Sequence, residues 1–143
     1  MKRLIYATLC ILITIILIGC TRSISYDAYE KLVSNLEKMG YKVEAEDVEK
    51  SILSGQRKWL TLNGSENITV YLYETNDKME KDASYISDDG HTYDNGKKSV
   101  IIEWVSYPHF FKTENIIVLY VGENSEIVSA LEKIIGPQFA GRL

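Results

Sequence analysis

The residues from Leu4 to Gly19 carry no charge and are dominated by Leu and Ile, with Lys2 and Arg3 ahead of them. Such a run constrains everything after it, because it cannot serve as the half-buried helix of a water-soluble core. A core helix shows a polar face over four turns, and here only Tyr6, Thr8 and Thr14 interrupt the apolar surface. The run therefore belongs in lipid. A permanent span needs roughly 20 apolar residues, and this one offers fewer. A basic start, an apolar stretch and a small residue at its end are the layout of an export signal that is later removed. Residues 1–19 are accordingly expected to leave the mature chain, the alternative being an uncleaved signal anchor.

The run ends in Leu17, Ile18, Gly19 and Cys20. This tetrapeptide resembles the lipobox of bacterial lipoproteins. The resemblance implies that the Cys20 thiol accepts a diacylglyceryl group, that cleavage falls between Gly19 and Cys20, and that the new Cys20 amine can take a further fatty acyl chain such as palmitate. A thiol is the natural nucleophile for this step, and glycine keeps the scissile backbone accessible. Each buried methylene is worth about 0.8 kcal/mol and two acyl chains anchor stably where one does not. The expectation is a chain held at the cell membrane by lipid on Cys20, facing the extracytoplasmic side, with residues 20–25 as lipidated cysteine and tether.

Removing residues 1–19 takes away Lys2, Arg3 and Cys10 and leaves 124 residues with 14 basic and 20 acidic side chains, net −6. That length suits one domain, expected over residues 26–143. With Cys20 as the remaining cysteine, an intramolecular disulfide and a thiolate metal site are both excluded. The acidic balance argues against nucleic acid as a partner and against a polybasic grip on anionic lipid, which need clustered Lys or Arg. Membrane contact is expected through Cys20, and no cofactor is implied.

Ser25 can cap a helix over residues 26–39, where Tyr29, Leu32, Val33 and Leu36 recur at helical spacing and Gly40 supplies the stop. A brief extended piece over residues 41–43 leads to a second helix expected over residues 45–53, from the spacing of Val48 and Ile52. Strands over 57–62 and 67–74 flank Asn63-Gly64, a strong hairpin signal. Helical spacing returns at Met79, Ala83 and Ile86 with Asn76 as the cap, and residues 87–98 are rich in turn formers. Strands over 99–106 and 115–121 follow, separated by a connection over 108–113. The second of these is apolar on both faces, which places it centrally in a sheet. Asn124 or Ser125 opens a last helix that Gly136-Pro137 ends. The fold expected is α+β in the order α(β)αββαββα, with a mainly antiparallel sheet of about four strands and helices packed on it. Asn67, Ile68, Val70 and Asn76 recur as Asn115, Ile116, Val118 and Asn124 at an offset of 48, from either duplication or convergence.

Catalytic groupings are sparse. His91 and His109 are the two histidines, too few for a three-ligand zinc site unless carboxylates complete it. His91 lies among Asp88, Asp89 and Asp94, where a solvated turn is the plainer reading and the calcium-loop spacing is missing. His109, between Pro108 and Phe110-Phe111, reads as packed against the sheet. No glycine-flanked serine supports a triad, and phosphate-loop glycine patterns are absent. An enzyme is thus disfavoured, with an envelope hydrolase using His91 or His109 as the alternative. If Ile68, Val70 and Leu72 face the helices, Tyr71 and Tyr73 face away, and Trp59 joins them from the neighbouring strand. An open face of Trp59, Tyr71 and Tyr73 would suit a protein or envelope ligand; the competing reading has the first helix cover it. The segment from Pro108 to Gly141, with Pro108, His109, Phe110, Phe111 and Lys112, then 115–122 and Phe139, Ala140 and Gly141, resembles small lipoproteins of low-GC Gram-positive bacteria. That resemblance implies location and leaves activity and oligomeric state open. A binding module is expected first, the envelope hydrolase second, and an immunity or inhibitor protein, its acidic charge steering basic partners, third.

Overall fold

The structure, a computed structural model, describes residues 23–141. The leader, the Gly19–Cys20 junction and the start of the tether lie outside the described residues. The fold is α+β. A first helix, α1 (Asp27–Lys38), is followed by β1 (Val43–Asp47), β2 (Gln56–Leu62), β3 (Glu66–Leu72), α2 (Asn76–Ala83), β4 (Thr92–Asp94), β5 (Ser99–Ile101), β6 (Pro108–Thr113), β7 (Ile116–Val121), α3 (Ser125–Ile135) and β8 (Ala140–Gly141). Six strands form one sheet in the order β1-β2-β3-β7-β6-β8, and β4 and β5 pair separately. Every pairing is antiparallel.

The β2–β3 hairpin forms where Asn63-Gly64 places it. Both residues have positive φ, 51° and 73°, and the Ser65 amide donates to the Leu62 carbonyl at 3.1 Å, the geometry that matches the twist of the flanking strands. From this hairpin outward, side chains alternate between two buried faces. Leu60, Ile68, Val70, Phe111 and Val118 pack beneath α1 and α3, which contribute Leu32, Leu36, Ile127 and Leu131. Tyr71, Tyr73, Phe110, Ile117 and Leu119 pack on the opposite face against α2, through Met79 and Ala83, and against Leu53 and Tyr93. Each fully buried aliphatic side chain contributes roughly 1.5–3 kcal/mol. Both clusters are drawn from residues 24–140, so among the described residues this segment holds a core of its own. The central position expected for the strand at 115–121 is found, with β3 and β6 on its two sides.

Four expectations are corrected. The sheet has six strands, with two more in the small β4–β5 pair, where about four were expected. The second helix over 45–53 does not form: β1 occupies its start as an edge strand with four exposed residues, and residues 48–55 run on as an irregular strap. Val48 and Ile52 stand at helical spacing, but two apolar residues four apart do not make a helical face, and residues 43–47 pair with β2 instead. The connection over 108–113 is itself strand β6, since proline is tolerated as the first residue of a strand. Finally, Thr75 and not Asn76 caps α2, its hydroxyl accepting from the Lys78 amide at 3.2 Å. The repeated pattern at offset 48 extends from Met79 and Ala83 to Ile127 and Leu131, yet α2 and α3 lie on opposite faces of the sheet.

Candidate functional site

Helix α2 is only eight residues long and covers one end of its sheet face. Over the other end lies a cavity of about 530 Å³. On the sheet side it is lined by a stripe across four strands: Arg57 and Trp59 on β2, Thr69 and Tyr71 on β3, Leu119 on β7 and Phe110 on β6. Cross-strand register sets Arg57 against Tyr71 and Trp59 against Thr69, so these four share one face by strand pairing alone. Ile52 and Leu53 of the strap form one wall, and Ile102, Trp104 and Val105 form the other.

The polar ends of the aromatic walls are fixed. Trp59 Nε1 donates to Asn67 Oδ1 at 3.0 Å, and Thr61 donates to the same oxygen at 2.9 Å. Trp104 Nε1 donates to the Gly90 carbonyl at 2.9 Å, and its ring meets Phe110 edge-on with centroids 6.0 Å apart. Both indoles are thereby held in place with their rings against the cavity. Near Trp104, Ile101 and Val105 are 79 % and 99 % exposed, leaving an apolar rim on solvent.

The three aromatics expected to form an open face are separated by this arrangement. Tyr71 and Tyr73 are each 3 % exposed, and Trp59 is half-buried. An open platform of all three is therefore corrected to a cavity with Trp59 in its wall and Tyr71 in its floor, while Tyr73 lies beyond it under α2. The cover comes from α2 and the strap; α1 packs on the other side of the sheet.

Asp82, which sequence reading passed over, organises that covered end. It is buried, and its Oδ2 accepts from the Ser54 amide at 2.7 Å, the Ser54 hydroxyl at 3.0 Å and the Tyr73 hydroxyl at 2.8 Å. Oδ1 accepts from Tyr93 at 2.7 Å. Burial, together with the neighbouring Asp82 carboxylate, pushes the Tyr73 hydroxyl far above the ordinary phenol range. The Tyr93 hydroxyl is pushed up to about 12 by burial and by its hydrogen bond to Asp82. Asp82 lies three residues after Met79 on the apolar side of its helix, and that position was the available signal for a buried carboxylate.

Neither histidine ring is hydrogen-bonded to a carboxylate among the described residues. The backbone N–H of exposed His91 donates to Asp89 Oδ1 at 2.9 Å, and its Nδ1 lies 3.2 Å from the Ile102 carbonyl, the pattern of a solvated turn. His109 is buried and stacked on Tyr120 with centroids 5.8 Å apart. Its Nε2 donates to the Gly122 carbonyl at 3.1 Å, and Nδ1 meets Gln138 Oε1 at 2.8 Å. Both ring nitrogens are engaged. Among the described residues, no group of three or more His, Cys, Asp or Glu side chains could hold a metal ion, and no helix is long and apolar enough to cross a membrane. Comparison with known protein families, with curated proteins and with solved structures returns no match for this chain.

Proposed function

We propose that this chain is an extracytoplasmic lipoprotein, anchored through diacylglyceryl on Cys20, whose single α+β domain is a binding module that takes a small, largely apolar ligand between Trp59 and Trp104. The observation that carries the reading is the cavity itself. Its volume of about 530 Å³ falls within the range of small-molecule sites, roughly 300–1,000 Å³, and its aromatic lining with a few polar groups is their usual composition. The anchor rests on the sequence from Leu17 to Cys20.

Two experiments test the two halves separately. The chain expressed in a bacterial host is expected to incorporate labelled palmitate, and Cys20→Ser to abolish incorporation; label retained in the variant would refute the anchor. For the cavity, residues 21–143 carry the whole core and both tryptophans. Titration with the polarity-sensitive dye anilinonaphthalene sulfonate is expected to quench tryptophan emission saturably, and Leu119→Trp, which fills the floor, to remove saturation. Unsaturable binding that ignores the filled cavity would defeat the binding reading. A hydrolase gains no support from the histidines: both ring nitrogens of His109 are engaged with a carbonyl and an amide, and Nδ1 of His91 lies against the Ile102 carbonyl in an exposed turn.

A further inference from the structure

Among the described residues, one buried side-chain polar atom has no hydrogen-bond partner: Nε of Arg57. Nη1 of the same guanidinium reaches the Glu49 carbonyl oxygen at 3.4 Å, a long contact, and no described carboxylate lies within ion-pair distance of it. The guanidinium carbon sits 5.6 Å from the centroid of the Trp59 ring. Directly across the strand pair is Tyr71, whose hydroxyl lies 3.1 Å from Ser51 Oγ. Arg57, Trp59, Tyr71 and Ser51 all line the cavity.

A cation in an aromatic cavity with an unmet donor is an unusual thing for a fold to keep. An unsatisfied buried donor costs about 1–3 kcal/mol, and more when the group is charged. Other cations of the chain are used differently: Lys58 pairs with Asp47 at 2.7 Å and Lys112 with Glu80 at 2.5 Å. With Nη1 turned to Glu49, the edge formed by Nε and Nη2 has no hydrogen bond to the described residues, and Nε itself is buried. That edge presents two parallel N–H donors, the spacing a carboxylate accepts in bidentate fashion. Lysine could not offer it.

Resting on the reading of this cavity as a ligand site, we propose that its ligand is a small monocarboxylic acid: the carboxylate pairs with the guanidinium of Arg57, and an acyl or aromatic body lies against Trp59, Trp104 and Phe110. Charge complementarity selects the carboxylate, and the apolar lining selects what it is attached to. Polar diacids and sugars are disfavoured, since the remaining lining would leave their extra groups without partners.

The test uses residues 21–143 and intrinsic tryptophan emission, both tryptophans of the chain lying in the cavity wall. Dodecanoate and 1-naphthoate are titrated beside dodecanol and 1-naphthalenemethanol, which keep the body and lose the charge. The acids are expected to bind about tenfold or more tightly than the alcohols, the strength of one charge-assisted pair. Arg57→Gln should erase that preference, acid and alcohol then binding alike, and Arg57→Lys should restore only part of it. Which of the two acids binds better tells an acyl body from an aromatic one. Equal binding of acid and alcohol overturns the carboxylate assignment while leaving the cavity reading standing; binding of none of the four overturns both. Should Arg57→Gln fail to fold, the comparison of acid with alcohol on the native sequence decides alone.

Discussion

Tyr93 donates its phenolic hydrogen to one carboxylate oxygen of Asp82 at 2.7 Å, while the other oxygen of that carboxylate is taken by Ser54 and Tyr73. One side chain on α2 thus joins the strap, the exit of β3 and the small β4–β5 pair. Replacing it by alanine leaves two buried phenols and a backbone amide without acceptors. Asp82→Ala is expected to cost on the order of 3 kcal/mol of unfolding free energy, read by urea denaturation. Asp82→Asn keeps the shape but offers one acceptor oxygen instead of two, and should cost less. A loss under about 0.5 kcal/mol for the alanine variant would show that the carboxylate does not hold these segments together.

The same contact makes a pH prediction. A phenol whose folded value is raised favours the folded state while it stays protonated. That contribution is complete below the free tyrosine value of 10.0 and is lost as pH climbs through the folded value, about 12 for Tyr93. Tyr73 is shifted in the same direction. Stability should therefore fall between pH 10 and 12, and the phenolate absorbance of these two residues should appear with unfolding instead of before it. In Asp82→Asn the charge is gone, so phenolate formation should begin at lower pH. A native-state titration in which all tyrosines ionise together near pH 10 would contradict this.

Helix caps give a sharper comparison. Thr75 accepts from the Lys78 amide, and Asn124 accepts from the Glu126 amide at 3.0 Å while its Nδ2 donates to Glu66 at 3.1 Å. Thr75→Ala should cost about 1 kcal/mol and Asn124→Ala between about 1 and 2, by thermal unfolding. Asn76 donates to the Glu114 carbonyl from an exposed position, and Asn76→Ala should cost about 0.5 kcal/mol. An order with Asn76 as the most costly of the three would restore it as the cap.

These particulars show where sequence patterns carry structural information and where they do not. The Asn63-Gly64 hairpin, the two-faced strand at 116–121 and the helix between Asn124 and Gly136 were legible because each is set locally, by backbone φ, by apolar periodicity and by a capping side chain. Edge strand β1 was not legible, because its side chains meet solvent and its pairing depends on β2, which the local pattern cannot express. Of the cavity, half was readable: alternation puts Arg57, Trp59, Thr69 and Tyr71 on one face once the hairpin is placed. What covers that face was not, since the strap and the 102–107 segment have no periodicity, and their positions follow from tertiary contacts such as Ser54 to Asp82 and Trp104 to Gly90. Asn76 and Thr75 differ by one position, and boundaries at that scale are decided by cap geometry.

The two histidines should behave oppositely. His91→Ala, in an exposed turn, is expected to change stability by less than about 0.5 kcal/mol. His109→Ala removes a ring stacked on Tyr120 and leaves the Gly122 carbonyl and Gln138 without a partner, for a loss of about 2 kcal/mol or more. Equal effects in calorimetric unfolding would refute the distinction drawn between a turn residue and a packed one.

Strand β1 has a consequence for molecules crowded side by side. It closes one margin of the sheet, and among the described residues its outer edge is not paired with another strand. Left apolar, such a margin recruits a second copy by continuing the ladder. Here it reads Val43, Glu44, Ala45, Glu46 and Asp47, with the last four exposed, and Glu44 and Asp47 are paired with Lys42 and Lys58, so a second copy could continue the ladder only by crowding charged, solvated side chains.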